Sequence, residues 1–143
     1  MQNPALSKNL RAQAVVEFAL VLPFLVLLAA GAIDLANGFT AYIALSNGAR
    51  EGAAYAAYPP DNATGGALDS NICSRAKAGL PTTLQGATCT PNYPVVTGCP
   101  SGTRVARCPI RVTLSYSLTT LVGSVLGSNS FTVSPTVDMM VLQ

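Results

Sequence analysis

The feature that most constrains this chain is an apolar run of about 20 residues near its N-terminus. The run reads AVVEFALVLPFLVLLAAGAI over residues 14–33, and residues 18–33 contain no charged side chain. A bilayer core of roughly 30 Å takes about 20 helical residues, provided that a carboxylate such as Glu17 lies near one end. Charged residues make up 10% of the chain, against about 25% in soluble domains. The run therefore predicts a membrane-spanning helix.

Positive charge fixes the expected orientation of this helix. Lys8 and Arg11 lie just before the run, and no acidic residue offsets them. Because positive charge is retained on the cytoplasmic side, residues 1–12 are predicted to be a cytoplasmic basic leader. Everything after Asp34 is then expected to lie outside the cytoplasm.

Helical character extends beyond the apolar run as far as Tyr58, where Pro59 and Pro60 stop it. The helix over residues 13–58 is therefore treated as a domain of its own. Its weakest points are predicted at the two Asn-Gly pairs that begin at residues 37 and 47. A stripe of Tyr42, Leu45, Ala49, Gly52 and Ala56 follows three- and four-residue steps. Its small side chains suit close approach of a second helix. The alternative, kept open here, is that the stripe covers this chain's own C-terminal part.

Residues 59–109 are dense in Pro, Gly, Thr, Asn and Ser, which is typical of loop. This segment contains all four cysteines of the chain, and a helical turn is predicted only around residues 73–80. An extracytoplasmic compartment permits disulfides, and neighbouring pairs are the simplest of the three possible pairings. The chosen pairs are Cys73 with Cys89 and Cys99 with Cys108. A zinc site is disfavoured because the chain has neither a C-x-x-C pair nor a histidine.

The C-terminal part has the alternation of half-buried strands. Apolar residues alternate with polar ones over 111–118, and further strand is indicated at 131–133 and 137–142. The glycines of the segment 121–130 allow an antiparallel return. The predicted fold class is α+β: a long spanning helix that continues outside the membrane, then a disulfide-stapled loop region and a small antiparallel sheet over residues 59–143.

The segment from Arg11 through Ala54, RAQAVVEFALVLPFLVLLAAGAIDLANGFTAYIALSNGAREGAA, resembles the TadE-like family of the tight-adherence (Tad or Flp) pilus systems. Its start resembles the family's R-G-Q-x-x-V-E-F-A-L-V-L-P, and AREGA at residues 49–53 resembles the family's A-A-R-E-G-A. The resemblance implies a pilin-like protein of pilus biogenesis in the bacterial inner membrane. It also implies other pilin or pilus-assembly subunits as partners and a prepilin peptidase as the processing enzyme.

Pilin precursors carry a Glu at the fifth position of the mature chain. If Glu17 is that residue, processing falls between Ala12 and Gln13, although Ala12 stands where the family often has Gly. A carboxylate within an apolar segment is costly unless it finds a partner. The resemblance implies that the new amino group of Gln13 in a neighbouring subunit is this partner. Glu17 reaching back to the cytoplasmic headgroups is the alternative.

Three further residues are assembly candidates. Pro23 removes one helix hydrogen bond and is expected to loosen or kink the helix there, either as a tolerated proline or as an aid to extraction from the bilayer. Arg50 and Glu51 are adjacent, so they do not face each other on a helix. Each is expected either to be solvated or to contact another subunit or domain.

The composition disfavours several classes of function. With no histidine and no tryptophan, the commonest general base is missing, and no catalytic, cofactor or metal site is predicted. A net charge of +2 gives no basic face for nucleic acid, and Arg104, Arg107 and Arg111 are interpreted as a solvated patch. A small-molecule substrate is not expected.

Two alternatives share part of this interpretation. One is a single-pass scaffold of the same envelope system that keeps residues 1–12, which the alanine at position 12 favours. The other is a secreted binding domain whose signal peptide is cut after Ala30-Gly31-Ala32.

Overall fold

The computed structural model describes residues 4–58, 65–99, 104–127 and 130–142. They form an α+β fold of one long helix and a small mixed head, in agreement with the predicted class. In chain order the elements are α1 (Pro4–Ala57), α2 (Gly65–Ala78), a 3-10 turn (Thr82–Leu84), β1 (Thr88–Asn92), β2 (Pro109–Thr119), α3 (Leu121–Leu126), β3 (Ser130–Val133) and β4 (Thr136–Met140).

Helix α1 has 54 residues, which corresponds to about 80 Å at 1.5 Å per residue. It continues through Pro23 and through both Asn-Gly pairs that the sequence marked as weak points. At its C-terminus, Arg104 Nε donates to the Ala56 carbonyl at 2.9 Å and Arg104 Nη2 to the Ala57 carbonyl at 3.2 Å. A cation at this end of a helix also complements the helix dipole. Arg104 is therefore a helix cap, and the prediction that it is simply solvated is wrong.

Helix α2 corrects the prediction that residues 59–109 are mostly loop. Leu68, Ile72 and Ala76 follow a four-residue step and are almost fully buried, so this helix presents a narrow apolar face to the rest of the head. The predicted turn near residue 73 is the C-terminal part of this longer helix. Residues 59–64, where prolines were expected to end α1, lie outside the described ranges.

Strand β2 is the centre of the antiparallel sheet. It pairs with β1 from Thr88 opposite Ser115 to Asn92 opposite Arg111, and it pairs with β3 and β4 along its length. The partners β3 and β4 keep one common register against β2, and Leu114 N donates to the Pro135 carbonyl between them at 3.2 Å. Thus β2 and β3–β4 form one long hairpin, interrupted where Pro135 lacks a donor.

The tip of this hairpin is the short helix α3. Thr120 Oγ1 accepts a hydrogen bond from Gly123 N at 3.0 Å, which is an N-cap. Gly127 ends the helix with a φ of 80°, a left-handed conformation that glycine adopts without strain. The glycine-rich return predicted over 121–130 therefore contains a capped helical turn.

The core lies between α1, α2 and one face of the sheet. Ile110, Val112 and Leu114 alternate along β2 and are fully buried, as the period of a half-covered strand requires. From α1, Leu45 is fully buried in the same cluster. The head therefore packs on the second half of α1 only.

Two disulfides tie the head together. Cys73 of α2 is joined to Cys89 of β1, with a Cα–Cα distance of 5.7 Å. Cys99 is joined to Cys108 just before β2, at 5.6 Å. This is the pairing chosen from the sequence, although Cys73 and Cys89 lie on a helix and a strand instead of in a loop.

Tyr93, just after β1, gives a prediction about proton binding in the head. Its hydroxyl donates to Asp69 Oδ1 at 2.7 Å, and burial, followed by this hydrogen bond and the nearby negative charge, raises the pKa of Tyr93 well above its ordinary value. The raised pKa contributes stability that is fully present below the unfolded value of about 10 and is lost as pH rises towards the folded value. We expect the ultraviolet difference titration between the native chain and Tyr93→Phe to show a phenolate transition clearly above pH 10. A transition at the ordinary tyrosine pKa would contradict the contact.

Candidate assembly surface

Residues 13–29 of α1 present mostly apolar side chains around the whole circumference of the helix. Every residue from 13 to 29 is exposed, including Phe18 at 61% and Phe24 at 72%. Within the described residues, α1 is the one helix long and apolar enough to cross a membrane, with a mean hydropathy of 2.4 in its most apolar window and none of that window buried. So much uncovered apolar surface is not stable in water, so this segment requires lipid or other protein around it.

Gln13 and Glu17 form a polar pair within this surface. The Gln13 Nε2 donates to Glu17 Oε1 at 3.2 Å across one helical turn, so the two residues share a face of α1. Both are exposed. The backbone of Ala12 continues the helix, but its side chain lies outside the described set. The Glu17 carboxylate is therefore close to Gln13, the residue that the sequence predicts to follow the processing site.

Pro23 lies in the middle of the exposed segment. The helix continues on both sides of it, although a proline nitrogen has no hydrogen to donate to the carbonyl of Ala19. It is thus the point in the segment where the helix ladder is weakest.

The head begins to contact α1 near Gly31. Asp34 Oδ1 and Oδ2 accept hydrogen bonds from the backbone nitrogens of Leu121 and Val122, at 3.0 and 2.9 Å. One turn further along, a Cβ on Gly38 would lie 2.8 Å from the Phe131 ring, so the glycine lets this ring sit against the helix. These contacts hold the hairpin tip on α1.

The small-residue stripe is covered by the chain's own head. A Cβ on Gly48 would overlap the carbonyl oxygen of Ala76, and one on Gly52 would lie 2.9 Å from the Ala76 Cβ. On this face, Leu45, Ala49, Ala53 and Ala56 are buried. Of the two alternatives kept open by the sequence, the structure therefore gives the intramolecular one. Tyr42, which the sequence placed on the same stripe, is 49% exposed instead.

A face of the second half of α1 that flanks the buried stripe is also apolar and exposed. We call Leu35, Phe39, Tyr42 and Ile43 the outer stripe; their exposed fractions run from 44% to 75%. It continues the apolar surface of residues 13–29 for about two more turns. A protein surface of this kind usually marks a contact with lipid or another protein.

Arg50 and Glu51 lie on α1 next to the buried stripe, and both are exposed. Within the described part of the chain neither takes part in an ion pair. A Cβ on Gly79 would lie 4.0 Å from Glu51 Oε2, so Glu51 borders the end of α2. The structure does not bring these two residues close to Glu17, which is more than eight turns away along the helix.

The sequence did not identify three features of the structure. In the sequence, Asp34 is simply the charge that ends the apolar run. No local pattern indicates its hydrogen bonds with Leu121 and Val122, which are 87 and 88 positions away. From the sequence, Gly52 was placed on the small-residue stripe and Gly48 in a weak point of the helix. Neither was predicted to contact α2, because α2 was itself missed. The isolated charges of Arg111 and Asp138 form a bidentate ion pair, with Nε–Oδ1 and Nη2–Oδ2 both at 2.7 Å.

The geometry defines a class: a protein with one long helix that is apolar, uncovered and long enough to cross a membrane over its N-terminal part, and with a disulfide-held head packed on the rest of the helix. Comparison with known proteins gives the family of the helical segment. Residues 12–54 match the model of the TadE-like protein family, so the chain carries a TadE-like segment. That family is a structural kind of protein associated with Tad pili. The match covers less than half of the chain and leaves the head outside it. No curated protein and no solved structure matches the chain significantly.

Proposed function

We propose that this chain is a minor pilin or assembly factor in the biogenesis of a Tad/Flp-type pilus, anchored by α1 in the bacterial inner membrane. Residues 1–12 are a cytoplasmic leader, residues 13–58 the membrane and extended helix, and residues 59–143 an extracytoplasmic domain. The observation that carries the proposal is the division of α1 into a fully uncovered apolar half and a half covered on one face by the head. That division leaves apolar helix surface for contacts between subunits. The fold of the head does not depend on those contacts.

Processing by a prepilin peptidase between Ala12 and Gln13 would complete the assembly site. The cut creates an ammonium group one helical turn from Glu17, on a helix whose Gln13 side chain already reaches this carboxylate. In apolar surroundings a carboxylate needs an opposite charge. The ammonium group of one subunit then pairs with Glu17 of a neighbour, which sets the axial position of the two helices.

The remaining assembly residues take secondary parts in this proposal. Pro23 gives the helix a weak point that eases its movement out of the bilayer into a fibre. Arg50 and Glu51, exposed at the side of the head, contact neighbouring subunits. The outer stripe supplies apolar area for the same helix-to-helix contacts.

Exchange of the carboxylate for its amide tests this proposal. In a Tad-piliated host that lacks its own copy, we expect Glu17→Gln to reduce the chain found in sheared pili, or the number of pili, by about tenfold or more, because an unpaired ammonium group in apolar surroundings costs several kcal/mol. The matched control is Asp138→Asn, which removes an exposed carboxylate of the head. We expect the control to assemble normally.

The location of the wild-type chain separates the two roles. Recovery in the sheared fibre identifies a minor pilin, whereas recovery in the membrane fraction with pili lost on deletion identifies an assembly factor. Normal pili in both the deletion strain and Glu17→Gln would contradict the proposed function.

A further inference from the structure

The hairpin tip at α3 carries exposed apolar side chains beside the end of the apolar run. Leu121 is 57% exposed and Val125 is 72% exposed. A Cβ on Gly31 would lie 3.8 Å from Val122 Cγ2, so α3 is in contact with α1 at the level of Gly31 and Asp34. The tip therefore lies where a span that begins at residue 13 reaches a length of about 30 Å.

Charge is distributed in the head as a membrane-facing edge requires. No charged residue occurs in 35–49, 78–103 or 112–137. On the hairpin, the last charges before the tip are the paired Arg111 and Asp138, about 26 Å away along β2 at 3.3 Å per residue. The end of the head near Asp34 is thus free of charge over a wide area, while the basic residues lie towards the other end.

Among the residues that the structure describes, Asp34 is the one charge near this edge, and the fold satisfies it. Both of its oxygens accept backbone N–H groups of α3, which lowers the cost of holding a carboxylate near lipid. The same bonds fix α3 against α1. Held in this way, the tip cannot rotate relative to α1 without breaking these hydrogen bonds.

We infer that α3 is a second membrane contact: the hairpin tip enters the interfacial region of the outer leaflet through Leu121 and Val125, beside the point where α1 leaves the bilayer. The inference rests on the proposed membrane anchoring by α1. A lipid surface is the partner because the tip continues the apolar surface of α1 and lacks charge. Two contacts, one spanning and one interfacial, hold the head at a fixed tilt to the membrane.

Because the chain contains no tryptophan, single tryptophans give an unambiguous fluorescence test. Three variants of the full chain, reconstituted into phosphatidylethanolamine and phosphatidylglycerol vesicles, are compared: Val125→Trp at the tip, Phe24→Trp in the span, and Val95→Trp as the matched control. Val95 is 74% exposed and follows the end of β1 that lies opposite Arg111, far from the tip. Quenching is measured with lipids brominated near the headgroup end of the acyl chain and near its terminal methyl.

We expect Val125→Trp to have blue-shifted emission and to lose about half of it to the shallow bromines, Phe24→Trp to be quenched by the deep ones, and Val95→Trp to be unaffected. Quenching of Phe24→Trp alone would overturn the inference and leave the proposed anchoring intact. Absence of quenching at Phe24→Trp would overturn both. A blue shift at Val125→Trp without lipid quenching, which disappears when the chain is diluted in the bilayer, would identify a second copy as the partner and overturn the inference.

Discussion

Replacing Gly48 with alanine is expected to lower the free energy of unfolding of the head by about 2 kcal/mol, because an overpacking cost of about 3 kcal/mol exceeds a gain of about 1 kcal/mol in helix propensity. The added Cβ would overlap the carbonyl oxygen of Ala76 and would lie 3.0 Å from Leu114 Cδ1 and 3.1 Å from Leu80 Cδ2. The two leucine ends can rotate, but the carbonyl belongs to the backbone of α2, so the helix itself must shift. That places the cost at the upper end of the range for overpacking.

An opposing effect makes this a sharp test. Alanine favours a helix over glycine by about 1 kcal/mol, so in the absence of the α2 contact the same change would stabilise the chain. The measurement is urea unfolding of the full chain in a mild detergent, followed by near-ultraviolet circular dichroism of the tyrosines. Gly79→Ala is the control, because a Cβ there is in ordinary contact at 4.0 Å. A Gly48→Ala variant as stable as the native chain would contradict the packing of α2 on α1.

Removing the disulfide between α2 and β1 is the second large change. We expect Cys73→Ser/Cys89→Ser to lose about 3 kcal/mol of stability, because the bond restricts the unfolded chain over a loop of 16 residues. Its two ends also lie on α2 and on the edge strand β1, so its loss frees the helix from the sheet. Urea unfolding in the same detergent measures the loss.

The second disulfide gives the matched comparison. Cys99→Ser/Cys108→Ser opens a loop of 9 residues next to β2, and we expect a smaller loss because a shorter loop restricts the unfolded chain less. Peptide mapping of the native chain, without reduction, checks the pairing independently. A peptide that links Cys73 to Cys99 or Cys108, or equal stability of the native chain and Cys73→Ser/Cys89→Ser, would contradict the structure.

The parts of the fold that the sequence predicted are those with strong periodicity. The helix predicted over residues 13–58 follows from a long apolar run and its continuation without a breaker other than Pro23, although α1 begins earlier, at Pro4, within the predicted basic leader. Strand β2 follows from strict alternation around Val112 and Leu114. Helix α2 was missed because its sequence, GGALDSNICSRAKA, has two glycines and several polar residues, and only Leu68, Ile72 and Ala76 are buried. Tertiary packing on Gly48 and Gly52 overrides its weak local preference.

The residues of the candidate site likewise fall into those that the sequence could predict and those that it could not. Glu17 could be singled out from the sequence because a charge within an apolar run is visible without coordinates, and the position of processing is what the resemblance to pilin precursors implies. Asp34 and Arg104 could not be understood there, because their partners are far away in the chain: Asp34 binds Leu121 and Val122, and Arg104 caps Ala56. Long-range polar contacts of this kind leave no local pattern in one sequence.

The central claim, a processed pilin-like subunit held in the membrane by α1, is tested most directly by the N-terminus of the mature chain. Intact mass and N-terminal sequencing are done on the membrane-fraction protein from a host that expresses the matching prepilin peptidase, with a peptidase-deficient host as control. The account predicts a chain that begins at Gln13 in the first host and at Met1 in the second. A start at Met1 in both would identify the uncleaved single-pass scaffold, and a soluble product that begins at Ile33 would contradict the membrane-anchored account.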